Sequence, residues 1–446
     1  MNLIDECRKL ISIDSTTSHG SRELVVYAAE LCREAGLDVE ILSEVHQQRE
    51  EANLVAVSHE SEAPSELLML SHLDTPDPGG YALWDKTQNN PFQMSIYQDE
   101  AYGLGLADAK ADFLCKLIAI NNVGVKNLKQ KLSLVGTFGE ASGRTGAMKL
   151  LRRKKVRSKR ILVGKPTDLK LCTGGQGQAV VEISIPFSDQ EMAYQRQHDL
   201  AESSSSRTKM FRADDGASPV SLQGNPIIEM IKYVAKLPQG IAILEMDGGS
   251  QPTSFPESAF VEMDLVSSMR SSVVNRLTSI VSVAEQLMEE FKQYPSKGFD
   301  PPYATLNVGQ VRTFQEHIRI YVDCRLPANI TSDVYDVWIE KLRMVCHQQG
   351  AVFRITTFTH PFDHPSDSAF VQEMQEVLQG NDVPPEIVKM SYSTEANLFR
   401  RPDSQCLLFG PGTPNPNGMI ANENVRISEL EKAVQIYEAL IRRICL

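Results

Sequence analysis

Residues 101–117 read AYGLGLADAKADFLCKL, and the fold is decided by what this stretch connects. Gly103 and Gly105 mark a tight loop, and an apolar helical run follows with Phe113, Leu114, Leu117 and Ile118. Asp108 is therefore expected at or just before a helix N-terminus, where free N–H groups favour an anion. The plainer reading of Asp108 is an N-cap. Upstream, the apolar run Leu67–Leu70 ends in Ser71-His72-Leu73-Asp74-Thr75. A strand ending here delivers His72 and Asp74 to one face, the arrangement of a metal-ligating histidine with a carboxylate beside it. Its plainer counterpart is a hydrogen-bonded pair at a strand end.

Working outward, the first half alternates between the two periodicities. Helical patterns near 3–13 and 21–35 precede strand patterns near 39–42, 54–58 and 67–72. After the helix that follows Asp108 come a strand near 132–138, a helix near 145–153 and a strand near 161–163. Such alternation predicts an α/β fold with a twisted, mostly parallel sheet flanked by helices, and function at the loops leaving the strand C-termini. His72, Glu140 and Lys165 all fall just past predicted strand ends.

From Gln178 the pattern changes to a smaller α+β domain inserted into the first, giving expected boundaries of 1–177 and 355–446 for the sheet domain and 178–354 for the insertion. The stretch 188–220 is polar and serine-rich and reads as a long loop, with His198 an ordinary loop histidine. Residues 243–266 and 306–326 each read strand–loop–strand–Asp and are followed by a helix pattern, near 273–291 and 333–347, so the insertion carries a candidate duplication. Late in the chain, a helix near 369–378, a strand near 406–409 and a final helix with a Ser428-x-x-Glu431 capping box return to the first domain.

Composition bounds the function classes. The chain has 446 residues, 42% hydrophobic and 23% charged, enough for two domains with large cores. A formal net charge of −12 argues against nucleic acid as a partner. Eight basic residues crowd the twelve positions 149–160, which read as a solvated connection, an anionic partner being the minority reading. The eight cysteines have no paired spacing and read as buried thiols of a reducing cytoplasm. No signal peptide and no apolar run of membrane-spanning length is evident, so a cytoplasmic protein without membrane contact is expected.

Seven stretches together carry a resemblance. HLDT (72–75) and YGLGLADAK (102–110) are followed by FGEASGRTGA (138–147) and GKPTDLK (164–170). YSTEA (392–396), then LFGPG (408–412) with GMIANE (418–423), complete the set. In order and spacing the chain resembles the co-catalytic zinc amidohydrolases that include acetylornithine deacetylase, succinyl-diaminopimelate desuccinylase, aminoacylase and carboxypeptidase G. It is most like acetylornithine deacetylase in the YSTEA and GPG region. The resemblance implies a zinc-peptidase-like sheet domain with an inserted lid or dimerisation domain. A duplicated lid would occupy the surface a second subunit uses, so a monomer is expected, with a lid-mediated dimer as the other option.

The family's chemistry uses two zinc ions bridged by one aspartate and a glutamate that deprotonates the bridging water. Carried over residue by residue, the resemblance makes Asp108 the bridge, His72 a ligand, Asp74 the orienting carboxylate and Glu140 the general base. Three ligand positions are substituted: one is Ala141, one is Lys165, and the late histidine falls on Gly418 or Met419. A lysine ammonium about 4 Å from Zn²⁺ at an effective dielectric near 20 is repelled by roughly 8 kcal/mol. A structural zinc site gains roughly 10–16 kcal/mol, so no stable zinc pair and no other cofactor is expected, and Lys165 is expected to reach Asp108 in place of the metal. The family's lid asparagine falls near Thr253 and is absent. Arg325, Thr394, Glu395, Gly410 and Gly412 resemble groups that hold the carboxylate and amine of an amino-acid-like ligand, Arg325 being equally readable as a structural ion-pair partner. Two functions follow as expectations. One is a metal-depleted homologue that binds an amino-acid-like or peptide-like carboxylate, or a protein partner, with little hydrolysis. The other is an amidohydrolase, deacetylase or peptidase working through His72, Asp108 and Glu140 with a reduced or rearranged zinc site.

Overall fold

Ser65–His72 is the strand from which the first domain is built: it is buried along nearly its whole length, as a parallel strand covered on both faces must be. In this computed structural model, residues 1–446 are described except 47, 62, 141, 200–205, 214–221, 238–239, 267–270, 331, 400–402 and 415–420. Ser65–His72 pairs in parallel with Leu132–Thr137 on one side and Ser158–Val163 on the other. Gln405–Leu408 continues the parallel run beyond Ser158–Val163. Antiparallel strands Arg49–Val57 and Asp38–His46 extend one edge. Leu171–Gly175 extends the other, itself pairing with Phe362–Asp363 and Ile387–Met390, to complete nine strands. The four central strands are parallel, so the residues just beyond their C-termini gather at one sheet edge.

The helix Ala111–Val123 is almost wholly buried and shares a core with the final helix Ile427–Cys445. Inside it, Lys116 Nζ donates to Asp112 Oδ2 at 2.6 Å and to the Leu70 carbonyl oxygen at 2.9 Å. Ser71 Oγ donates to Asp112 Oδ2 at 2.6 Å, and the Tyr437 hydroxyl donates to Asp112 Oδ1. This buried pair sits directly beneath the loop that carries Lys165. A Cβ on Gly164 would lie 1.8 Å from Asp112 Oδ2, so only glycine passes there.

The chain divides into two compact units, Met1–Gly175 with Phe362–Met390 and Thr394–Leu446, and Gln176–Pro361 with Ser391–Ser393. The second unit is one antiparallel sheet of seven strands ordered Arg207–Arg212, Ser258–Leu265, Ile241–Gly248, Thr305–Thr313, His317–Leu326, Gly177–Pro186, Val352–Thr359. Both candidate repeat units are hairpins followed by a helix, Ser272–Phe291 after the first and Ser332–Gln348 after the second. They belong to one sheet over one continuous core and meet at the single pairing Gly248↔Val311.

Three local expectations need correction. The stretch read as a long loop contains the helix Asp189–Asp199 and the edge strand Arg207–Arg212; its polar composition hid both. Ser428 does not cap the last helix, which begins at Ile427, because its amide and hydroxyl both donate to the Asp99 carboxylate. Asp108 is not an N-cap either: its backbone is extended (φ −127°, ψ 90°) and the helix starts three residues later at Ala111. Within the basic run 149–160, Lys149 and Lys155 pair with Glu44 and Glu40, Lys159 with Glu66 and Arg160 with Glu373. All eight cysteines are free and buried. No helix among the described residues is long and apolar enough to cross a membrane.

Candidate functional site

Four loops meet where the central strands end. They carry His72, Glu140, Lys165 and the Gly410 turn, and the 103–110 turn brings Asp108 against them. That turn is held from behind by Glu423, whose carboxylate accepts from the amides of Gly105 at 2.7 Å, Ala107 at 2.8 Å and Asp108 at 2.9 Å. Gly105 sits at φ +78°, in the left-handed region, with Thr75 Cγ2 2.5 Å from where a Cβ would be. Glu423 is a residue to which the sequence reading gave no role, although it closes the GMIANE stretch. Its partners are backbone groups more than three hundred residues away, which leave no side-chain pattern to read.

With the turn so fixed, Asp108 faces His72 and Lys165. His72 Nε2 donates to Asp108 Oδ1 at 2.8 Å and Nδ1 donates to the Asp74 carbonyl oxygen at 3.0 Å. Lys165 Nζ lies 2.9 Å from both Asp108 oxygens, 3.0 Å from His72 Nε2 and 3.5 Å from Glu140 Oε1. Asp74 Oδ1 accepts from the Glu140 amide at 3.2 Å. The structure therefore brings His72, Asp74, Asp108, Glu140 and Lys165 together. Two of the three substituted positions, Ala141 and the Gly418 or Met419 position, lie outside the described residues.

The electrostatics follow from burial and this pairing. Burial and the Lys165 charge oppose protonation of His72, but Asp108, by charge and hydrogen bond, and Asp74 outweigh them and raise it to about 9. Against its own burial, Asp108 is held well below the usual carboxylate range by Lys165 and His72. Burial pushes Asp74 up, against the His72 charge. Glu395 is buried beside this group; burial and the Glu140 charge push it up to about 8 despite a 2.9 Å bond from Thr137 Oγ1. Burial likewise lifts Glu423 to about 7 against its three amide bonds.

Both oxygens of the would-be bridging carboxylate take Lys165, and the histidine nitrogen a metal needs is directed at Asp108 with the ammonium beside it. Among the described residues, no three His, Cys, Asp or Glu side chains are placed to hold a metal ion.

The groups expected to hold a ligand's carboxylate and amine make these bonds within the chain. Thr394 Oγ1 accepts from the Ala396 amide and, with Asn397, caps the short helix Glu395–Leu398. The Gly410 amide donates to Thr167 Oγ1 at 3.2 Å. In the second unit, Arg325 Nε donates to Asp323 Oδ2 at 3.3 Å and Nη1 to the Ser391 carbonyl oxygen at 3.4 Å.

Comparisons with known proteins agree with this arrangement of strands and loops. The acetylornithine deacetylase of Aliivibrio salmonicida (strain LFI1238) is 21% identical over 444 residues, covering 97% of this chain and 94% of that enzyme. That of Aliivibrio fischeri (strain MJ11) is 28% identical over 174 residues, 39% of this chain and 44% of the enzyme, so this match spans less than half of the relative's length. Among solved structures, the M20 family metallo-carboxypeptidase Sso-CP2 from Sulfolobus solfataricus has the same fold, with a TM-score of 0.64 at 17% identity over 99% of both chains. Human carnosine dipeptidase 1 gives 0.61 at 11% identity, over 99% of this chain and 96% of that one. The model of peptidase family M20/M25/M40 matches residues 68–443, from the strand that delivers His72 to the last helix. With its sheet, its inserted antiparallel unit and the convergence of His72, Asp108 and Glu140, the chain belongs to that family.

Proposed function

We propose that this chain is a metal-depleted member of the family, which binds an amino-acid-like or peptide-like ligand with little or no hydrolysis. The observation that carries the reading is the Lys165 ammonium, 2.9 Å from both oxygens of Asp108 and 3.0 Å from His72 Nε2. A divalent cation bridged by that carboxylate would have to displace Lys165 or sit against its charge. In exchange, Lys165 supplies the positive charge that a buried cluster of carboxylates requires. A second reading, an amidohydrolase or peptidase acting on N-acyl amino acids or dipeptides, is favoured by one observation. His72, Asp74, Asp108 and Glu140, the positions to which the resemblance assigns ligand, orienting, bridging and base roles, stand close together, and relatives are named as deacetylases and metallopeptidases.

A hydrolysis screen separates the two. Purified protein supplemented with zinc or cobalt is incubated with N-acetyl-L-ornithine, other N-acyl amino acids and dipeptides, and released amine is measured. The proposal expects no turnover above background; turnover that is lost in Glu140→Gln supports the second reading and overturns the first.

A further inference from the structure

The buried ion pair beneath the site makes more directional bonds than two opposite charges need. The Asp112 and Lys116 side chains are 1% and 0% exposed, and burial pushes the Lys116 ammonium below its usual value even with Asp112 beside it. Such a pair adds little stability over apolar side chains of the same volume, because desolvation offsets its attraction. What apolar side chains cannot supply is direction. Lys116 Nζ spends its three donors on Asp112 Oδ2 at 2.6 Å, the Leu70 carbonyl oxygen at 2.9 Å and Ser71 Oγ at 3.0 Å. Asp112 accepts in turn from Ser71 Oγ and from the Tyr437 hydroxyl. The Leu70 carbonyl that takes Lys116 also takes the Gly164 amide at 2.7 Å. Asp112 Oδ1 lies 3.1 Å from where a Cβ on Gly410 would be, and the Lys165 carbonyl oxygen 2.6 Å from the same point. The pair therefore packs against the C-terminal ends of three adjacent strands, Ser65–His72, Ser158–Val163 and Gln405–Leu408. Ser71 precedes His72 and Gly164 precedes Lys165, so each of those site residues is one peptide away from the network.

We propose that Asp112 and Lys116 are positioning residues, which fix these three strand ends so that the Lys165 ammonium is held on Asp108 and His72. They act through the backbone of residues 70–72, 164–165 and 410. Apolar side chains of similar volume would fill the same space and leave the strand ends without these bonds, so stability and site geometry separate. The inference concerns the metal-free arrangement of Lys165 and stands apart from the question of hydrolysis: turnover under the second reading would leave it untouched.

Trace labelling of amines with acetic anhydride, each lysine being located by peptide mass spectrometry, reads how firmly Lys165 is held. The full chain is labelled after chelator treatment, and Lys159, whose side chain is 63% exposed, serves as the internal reference. The test variant combines Asp112→Leu with Lys116→Met. The control is Leu31→Ala, which opens a cavity in the same core from the helix Arg22–Glu34, an element that carries no member of the network. The proposal expects Lys165 labelling relative to Lys159 to rise roughly fivefold or more in the test variant, the factor that one net hydrogen bond is worth. The circular dichroism spectrum should stay native, and the control should label Lys165 at the native level. Tyr437→Phe, which removes only the hydroxyl on Asp112, decides the matter should the double variant not fold, with a rise of about twofold expected. Native-level labelling of Lys165 in the folded variants, or an equal rise in Leu31→Ala, overturns the positioning role, since the pair would then be doing no more than filling the core.

Discussion

Replacing Lys165 by methionine keeps the stem and removes the charge, which isolates what the ammonium does. Its side chain is 6% exposed and its Nζ lies 2.9 Å from Asp108 and 3.5 Å from Glu140. Removing one partner of a buried ion pair costs about 3–5 kcal/mol, mostly as the penalty of the charge left behind. Asp108 is 40% exposed, so water recovers part of that, and about 2–3 kcal/mol is the expected loss for Lys165→Met. Lys159→Met is the control: its pair with Glu66 is solvent-exposed, and such pairs contribute about 0–1 kcal/mol. Urea unfolding followed by circular dichroism reads both variants, taking the transition of the unit that contains residues 1–175, since two compact units need not unfold together. Adding Asp108→Asn to Lys165→Met should recover part of the loss, because the stranded charge is gone. A Lys165→Met variant no less stable than Lys159→Met would refute the claim that Lys165 neutralises the half-buried Asp108 carboxylate.

Glu423→Ala leaves the amides of Gly105, Ala107 and Asp108 without their acceptor; a loss of about 2–3 kcal/mol is expected, with faster hydrogen exchange at those three amides. Stability should fall as pH rises from 5 to 8. Glu395 and Glu423, raised to about 8 and about 7, contribute stability that is complete below the unfolded carboxylate pKa and lost as pH rises through those values. Glu395→Gln should flatten that slope in pH-dependent thermal melts, and an unchanged slope would count against the buried-acid assignment. The eight buried thiols should be silent to a thiol reagent in the native protein and all react after denaturation; rapid native labelling would contradict the burial.

Much of the first domain was legible because its strands are buried on both faces. The runs 67–70 and 161–163 are uninterrupted apolar stretches, and 132–138 is apolar apart from Ser133, Gly136 and Thr137; in a parallel sheet the residues just beyond such runs form the site. His72, Glu140 and Lys165 were readable for that reason. Asp108 was found for the right neighbourhood but the wrong local reason, since an aspartate before an apolar helix looks like a cap whatever its backbone does. Groups held by distant backbone atoms were not readable: Glu423 binds three amides across the chain, and Gly410 spends its amide on Thr167. Asp112 and Lys116 did leave a signal, two opposite charges four apart inside an apolar helix, which is the spacing of a buried ion pair. In the inserted unit the apolar hairpins showed through, whereas the polar helix at 189–199 and the edge strand at 207–212 had no periodic apolar face to mark them.

Zinc stoichiometry is the most direct test of the central claim. The purified chain is equilibrated with a small excess of zinc, passed through a desalting column and assayed by elemental analysis per mole of protein. With Lys165 holding Asp108 and His72, far less than one zinc per chain should be retained. One or two tightly held zinc ions per chain would contradict the account.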